Sequence, residues 1–214
     1  MHPNGLMDRI MPVSGARWAL AIAMLVGIGI STSVVLADDH DEEYPEIRSD
    51  EAYTSNFRLE NCTFTATGEN SYFILKPGYQ LIFEGVKEGM QARWTHTVID
   101  RTEVLDVPGI GKVEVRAVDE KEWAEGEITE TSTAFYAICK ETGDVYDFGD
   151  DAYIHNADGS ITHEGSWRAG QPDADGLAKP GLFLPGTVLI GARYFQQMAD
   201  GYSMERAENV GEGL

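Results

Sequence analysis

Val113-Glu114-Val115-Arg116-Ala117-Val118 is the stretch that decides the fold class of this chain. Apolar side chains alternate there with Glu114 and Arg116, which is the two-residue period of a β-strand with one buried face. The same period occurs over residues 79–84, where Tyr, Leu and Phe alternate with Gln, Ile and Glu. No stretch of comparable length has a helical period, so the body of the chain is predicted to be all-β.

Short turn signals rich in Gly, Pro and Asp separate the strand-like runs. They lie at residues 87–89, 107–109, 124–126, 142–144 and 157–160. Such signals join successive antiparallel strands, and Asp158-Gly159 suits a type I′ hairpin turn. Pro77-Gly78 predicts a type II turn. An antiparallel meander of about eight to ten strands is expected to close as a lipocalin-like barrel or to fold as a sandwich, because open edges invite aggregation.

Residues 1–37 have the pattern of a secretory signal peptide. Arg9 and Arg17 flank the start of an apolar run, Trp18 to Ile30, and Val35-Leu36-Ala37 offers a small-residue cleavage site. The run is shorter than the ~20 residues of a bilayer span, which favours cleavage over an uncleaved anchor. The mature protein is therefore expected to be periplasmic or extracellular, without stable membrane insertion.

The remaining chain divides into an acidic N-terminal arm, residues 38–69, and a single β domain, residues 70–214. The formal net charge of the whole chain is −20 at pH 7. This excess of acid repels phosphate backbones and anionic lipids, so nucleic acids are not expected as partners. Cys62 and Cys139 are expected to form a disulfide that pins the arm to the domain, because exported proteins meet an oxidising environment.

Asn70 to Gly78 (NSYFILKPG) resembles the NPYFPLxPG opening of a group of uncharacterised exported bacterial β-domain proteins. Residues 143–149, 163–170, 179–186 and 191–197 resemble the same group in order. Ser71 and Ile74 stand where that group usually has prolines, and Cys139 stands where an acidic residue is common. The resemblance implies a compact β domain and carries over no catalytic residue.

Glu164, Trp167 and Arg168 lie in one of these segments and are the candidate ligand-binding residues. In that interpretation the indole ring stacks on a ligand and Arg168 binds an anionic group. In the alternative interpretation the glycines and aromatic side chains of the segment only build the fold.

Three groups of residues are candidates for metal binding. Cleavage after Ala37 would leave the terminus Asp38-Asp39-His40, whose amine, amides and imidazole suit Cu(II) or Ni(II). The acidic loops could bind Ca²⁺ but lack a complete calcium motif, and solvated turns are the alternative. A type I′ turn would place His155 opposite Thr162 and His163 opposite Ile154, on different faces, unless a one-residue bulge intervenes. The loop candidates are Asp147, Asp150, Asp151, Asp173 and Asp175.

The leading hypothesis is an exported, non-enzymatic β domain that binds a small or apolar ligand or acts as an extracytoplasmic interaction module. It needs no cofactor, although the metal candidates make Cu or Ca binding the first alternative. The second alternative is a secreted hydrolase with an unrecognised carboxylate site. The chain has no GxSxG, HExxH or phosphate-loop motif, and His96 has no identifiable partner in the sequence.

Overall fold

The structure is a computed structural model, and it describes residues 53–87, 89–163 and 165–211. Within these ranges the chain forms fifteen β-strands and one short 3-10 turn, Leu59–Asn61. The strands are β1 (Phe64–Thr65), β2 (Gly68–Glu69), β3 (Ile74–Leu75), β4 (Gln80–Lys87), β5 (Met90–Val107), β6 (Gly111–Ala124), β7 (Glu127–Cys139), β8 (Val145–His155), β9 (Ile161–Thr162), β10 (Trp167–Arg168), β11 (Pro172–Asp173), β12 (Gly176–Leu177), β13 (Gly181–Leu184), β14 (Arg193–Ala199) and β15 (Ser203–Glu208).

The main sheet is an antiparallel meander, as the alternating pattern predicts. Strands β4 to β8 pair in chain order, each with the next. Three short strands, β13, β10 and β9, share the outer edge of β8, and β1 continues the line of β6 beside β7. The all-β, antiparallel prediction is confirmed.

The barrel alternative is wrong for the described part of the chain. The main sheet runs from the edge of β8 to β4 and does not close on itself. The β14–β15 hairpin instead lies as a separate layer against β13 and β8. The arrangement is consistent with a β-sandwich, in which the β14–β15 hairpin covers one face of the main sheet. In a barrel, the sheet itself would have to close to bury that face.

Both faces of the main sheet are buried near its centre. On β7, Phe135, Ala137 and Cys139 point into one apolar cluster, which we call core A. Ala134, Tyr136 and Ile138 alternate with them and point into a second cluster, core B. Tyr194 and Ala199 of the hairpin cover core A, whereas Phe73, Leu75 and Phe183 cover core B. Residues buried on both faces explain why this part of β7 is continuously apolar.

Two of the predicted turns can be compared with the structure in detail. Gly78 has φ +87° and Tyr79 N–H donates to the carbonyl of Lys76 at 3.0 Å, which is the predicted type II turn. The type I′ prediction for Asp158-Gly159 is wrong, because His155 pairs with Ile161 and leaves a five-residue loop. Asn156 and Ser160 close that loop with a side-chain and a backbone hydrogen bond, which stabilises the longer connection.

The predicted arm packs on the sandwich from Tyr53 onward. Tyr53 is buried against Phe195, and Phe57, Leu59 and Phe64 pack against core A. The predicted disulfide between Cys62 and Cys139 is present. Burial of aromatic side chains and the disulfide therefore both attach this segment to the domain, whereas the sequence predicts attachment by the disulfide alone. No helix among the described residues is long and apolar enough to cross a membrane.

We expect the double variant Cys62→Ala/Cys139→Ala to lose about 4 kcal/mol in its free energy of unfolding, measured by denaturant titration. The disulfide closes a loop with a sequence separation of 77 residues, which restricts the unfolded chain. Wild-type protein under reducing conditions should lose a similar amount, while the variant should not respond to reductant. A loss below about 1 kcal/mol would contradict this role for the disulfide.

Candidate functional site

A cleft of about 510 Å³ opens on the core A side of the main sheet. Its walls come from β5, β8, β10, the segment leading through β11 and β12, and the β14–β15 turn. The lining residues are Glu103, Asp151, Ser166, Trp167, Arg168, Gln171, Pro172, Ala178 and Tyr202. We call it the Arg168 cleft. It therefore contains two of the three residues that the sequence selects as ligand-binding.

An irregularity in the pairing of β5 and a glycine in β8 shape this cleft. The pairing of β5 with β6 shifts between Val98 and Thr102, and beyond this irregularity β5 carries Glu103 to the cleft. Gly149 pairs with Arg168 at φ +154°, and a Cβ atom on it would lie 2.5 Å from the carbonyl oxygen of Trp167. Only glycine allows β10 to approach β8 this closely.

Arg168 is held by partners within the chain. Its Nη2 lies 2.7 Å from Oδ2 of Asp151, and its Nε lies 3.6 Å from Oε1 of Glu103. Its Nη1 donates to two backbone carbonyls, and the guanidinium stands 3.8 Å above the centre of the Phe135 ring. Two carboxylates therefore pair with the single positive charge. The guanidinium that an anionic ligand would need already has partners within the chain.

The aromatic side chains of the cleft differ in exposure. Trp167 is 5% exposed and packs into core A, so its ring offers little surface for stacking. Its buried Nε1 has no hydrogen-bond partner among the described residues. Tyr202, which the sequence did not single out, is 46% exposed and lines the cleft. Glu164 lies outside the described residues, as do Asp38, Asp39 and His40, so the predictions on them stay untested.

Ser166 and His163 form a hydrogen-bonded pair at the rim of the cleft. The Oγ atom of Ser166 lies 2.8 Å from Nε2 of His163 and accepts the backbone N–H of Ala152 at 3.1 Å. The imidazole stacks on Tyr153, with ring centres 4.5 Å apart and an interplanar angle of 19°. The sequence does not predict this pair, because neither residue belongs to a recognised nucleophile motif.

The predicted pairing register of His155 and His163 is wrong by one residue. His155 lies opposite Ile161, and Ile154 lies opposite Thr162, because the connecting loop is longer than a two-residue turn. The two histidines also have separate partners: His155 Nε2 contacts Thr131 Oγ1 at 3.0 Å, and His163 contacts Ser166. Each imidazole therefore has its own local hydrogen-bond partner.

The acidic loop candidates have different surroundings. Asp147, Asp150 and Asp151 lie within strand β8 and not in a loop, whereas Asp173 holds the backbone of its own loop. Asp173 accepts the backbone N–H groups of Asp175 and Asp200, which fixes two turns. Among the described residues, the one group of three donor atoms within 4.8 Å that could hold a metal is Cys62, Cys139 and Glu141. Its two cysteines are bonded to each other and therefore lack the thiolate that binds metals well.

The sequence missed the environment of His96. This histidine lies directly opposite Glu120 on β6, with its Nδ1 3.0 Å from Oε1 of that carboxylate. Tyr136 donates to the same oxygen at 2.8 Å. A period-2 pattern places His96 on the buried face, but the partner across the sheet depends on the exact register, which the sequence does not reveal.

Comparison of the chain with protein-family models, with curated proteins and with solved structures finds no match. The resemblance of Asn70 to Gly78 and the later segments to exported bacterial β-domain proteins therefore stays a prediction. Function has to be argued from the geometry of the sites.

Asp147 is completely buried, and burial raises the pKa of its carboxyl well above the ordinary value. Hydrogen bonds from Gly149 N–H and Gln197 Nε2 oppose the rise. In the unfolded chain this carboxyl loses its proton near pH ~4. Between that pH and the raised native pKa, only the native state keeps the proton, so the free energy of unfolding falls as pH rises.

We expect Asp147→Asn to remove this fall in the free energy of unfolding with rising pH, because an amide has no proton to release. Its free energy of unfolding should fall less than that of the wild type as pH rises above about 4, by up to about 1 kcal/mol per pH unit. Denaturant titrations across this range measure the difference, with the exposed Asp175→Asn as the control. Parallel pH profiles for Asp147→Asn and wild type would contradict the assignment.

Proposed function

We propose that this chain is an exported, non-catalytic β-sandwich domain that binds a small polar ligand in the Arg168 cleft. The observation that carries the proposal is the cleft itself: about 510 Å³, walled by side chains from separate strands and turns that only the folded chain brings together. A volume of this size suits a small molecule.

The charges in the cleft favour a neutral or cationic ligand. Asp151 and Glu103 both pair with Arg168, so the two carboxylates and the guanidinium together carry one net negative charge. An anion would have to displace a carboxylate from the guanidinium and would meet the other one. An apolar ligand would leave the carboxylates desolvated without new partners. Both alternatives are less favourable than a hydroxylated or amine-bearing ligand.

The rim supplies the matching contacts for such a ligand. Gln171 can donate and accept hydrogen bonds, and Ser166 Oγ has one further hydrogen-bonding position besides Ala152 and His163. Tyr202 lines the cleft and is 46% exposed, so a sugar ring or an amine can pack against it. The signal-like residues 1–37, the disulfide and the strongly acidic composition support an extracytoplasmic location, where such ligands are met.

We expect native mass spectrometry of untagged, exported protein to detect a co-purified small ligand, or thermal-shift screening with sugars and polyamines to identify one. Tyr202→Ala and Gln171→Ala should each weaken the binding of that compound about fivefold, because each removes one contact of roughly 1 kcal/mol. Isothermal titration calorimetry measures the change.

Gln91→Ala is the matched control, because Gln91 is exposed on β5 and does not line the cleft. All three variants should keep the wild-type unfolding temperature within about 2 °C. Binding that is unaffected by both Tyr202→Ala and Gln171→Ala, or that is lost equally in Gln91→Ala, would contradict the cleft as the site.

A second candidate function, a secreted esterase, is favoured by the Ser166–His163 pair. In such a reaction Ser166 Oγ attacks an ester carbonyl, and its proton passes to Nε2 of His163. The imidazolium then protonates the leaving alcohol, and water releases the acyl group from Ser166. Tyr153 holds the imidazole in place by stacking, and the Arg168 cleft would receive the substrate.

We expect a fluorophosphonate probe to label Ser166 if this second function is correct, with the modified residue located by peptide mass spectrometry. Labelling should disappear in Ser166→Ala and fall at least about tenfold in His163→Gln, since the base supplies roughly 10²–10⁴-fold in such reactions. Ser160→Ala is the control, because Ser160 bonds Asp158 and no histidine. Absence of labelling at Ser166 would reject the esterase and leave the binding function.

A further inference from the structure

The Arg168 cleft continues onto a polar face of the main sheet. Phe135, beneath the guanidinium of Arg168, belongs to core A. Thr133 lies two residues before Phe135 on β7 and therefore on the same face. Thr133 pairs with Asp151, which lines the cleft. The face therefore changes from apolar to polar directly beside the cleft.

Polar side chains form one row across this face, from β8 to β4. Asp151 pairs with Thr133, and Thr133 pairs with Asp119. Asp119 pairs with Thr97, and Thr97 pairs with Gln80. Directly opposite residues of neighbouring strands share a face, and the strands lie about 4.8 Å apart. The row, which we call the polar row, is therefore about 19 Å long.

Hydrogen bonds orient the side chains of the polar row. Thr133 Oγ1 donates to Oδ1 of Asp119 at 3.2 Å, and Gln80 Nε2 donates to Oγ1 of Thr97 at 2.7 Å. Gln80 is exposed and the others are half-buried. The second carboxylate oxygen of Asp119, the amide oxygen of Gln80 and the hydroxyl hydrogen of Thr97 remain for a ligand. Groups that are already oriented lose little entropy when they bind.

The next row on this face adds an aromatic ring and an aliphatic side chain. Tyr153 is 44% exposed and Ile82 is 50% exposed, at opposite ends of the row. Tyr153 stacks on His163, which contacts Ser166 at the rim of the cleft. A surface of this kind suits sugar rings, whose C–H groups pack on apolar side chains while their hydroxyls bond to polar ones. The row contains Tyr153, Thr131, Lys121, Thr95 and Ile82.

The charges on this face favour an uncharged partner. Asp119 and Lys121 lie two residues apart on β6, and Arg93 Nε lies 3.7 Å from Oε1 of Glu84. Positive and negative groups therefore occur together here, although the whole chain has a formal net charge of −20. That net charge repels anionic polymers and a second copy of the chain. A basic partner would find more acid on other surfaces.

The cleft itself contains a buried donor without a partner. Trp167 lines the cleft, and its buried Nε1 has no hydrogen-bond partner in the described part of the chain. A buried N–H group without an acceptor destabilises the folded state. A ligand hydroxyl or ring oxygen that reaches Nε1 would satisfy it without bringing a charge beside Asp151 and Glu103.

We propose that the ligand of the Arg168 cleft is one end of a neutral polysaccharide chain, and that the following sugar units lie along the polar row toward Gln80. The inference rests on the binding function proposed above. It adds the chemical class of the ligand and a second contact surface, which begins at Asp151 and leads away from the cleft across β7, β6, β5 and β4.

Binding of oligosaccharides of increasing length tests the proposal. A glycan array of neutral oligosaccharides identifies the sugar, and isothermal titration calorimetry compares its disaccharide with its hexasaccharide. We expect the hexasaccharide to bind at least about tenfold more tightly, because each added hydrogen bond on the polar row contributes about fivefold. The disaccharide occupies only the cleft.

Gln80→Ala and Thr97→Val remove contacts of the polar row that lie outside the cleft. Each should weaken hexasaccharide binding about fivefold and leave disaccharide binding unchanged. Thr102→Val is the matched control: Thr102 is exposed on β5 but pairs with Arg116, which points away from core A. All three variants should keep the wild-type unfolding temperature within about 2 °C.

Three outcomes would overturn the inference while the proposed cleft function stands. The first is a hexasaccharide that binds no more tightly than the disaccharide, or equally well to Gln80→Ala and Thr97→Val. The second is a cleft that binds another small molecule and no oligosaccharide of the array. The third is a dimer, measured by sedimentation, that these two variants dissociate, which would make the face an interface between copies. Failure of the proposed function itself is distinct, because Tyr202→Ala and Gln171→Ala would then weaken no ligand.

Discussion

Burial of both faces of β7 between residues 134 and 139 is the constraint on which the rest of the structure depends. Side chains alternate there between core A and core B, so each face needs its own cover. The β14–β15 hairpin and the aromatic residues from Phe57 to Phe64 cover one face. Phe73, Leu75 and Phe183 cover the other. A closed barrel would have only one interior, whereas a layered sandwich buries both faces of this strand.

The Arg168 cleft and the His96–Glu120 pair both lie at the borders of the apolar clusters. The strands β5 to β8 extend past the buried centre, and polar side chains lie there beside aromatic rings. Arg168 stands on the ring of Phe135 at the edge of core A, and His96 stands among aromatic rings at the edge of core B. Polar groups at such borders feel a reduced dielectric, so their ion pairs and hydrogen bonds are stronger than on an open surface.

Local patterns in the sequence predict the strands, but only the folded chain reveals the sites. The alternation at residues 113–118 and the Pro77-Gly78 turn depend on neighbouring residues alone, and both are confirmed. The loop at Asp158-Gly159 is longer than predicted, and a one-residue difference in register was enough to reverse the faces of the strand partners. The partners of Arg168 come from Glu103 and Asp151, on strands far apart in sequence, so no local pattern could indicate them.

The sandwich also has to accommodate carboxylates in places where charge is unfavourable, and it does so by different means. Burial raises the pKa of Asp147, which favours the neutral, protonated form of its carboxyl. Asp151 and Glu103 share the guanidinium of Arg168. Glu120 receives a hydrogen bond from Tyr136, yet that neutral donor supplies no positive charge, and Glu122 stands beside it with a raised pKa. Lys87 opposes that rise, so its ammonium group supplies part of the charge that compensates the burial of Glu122.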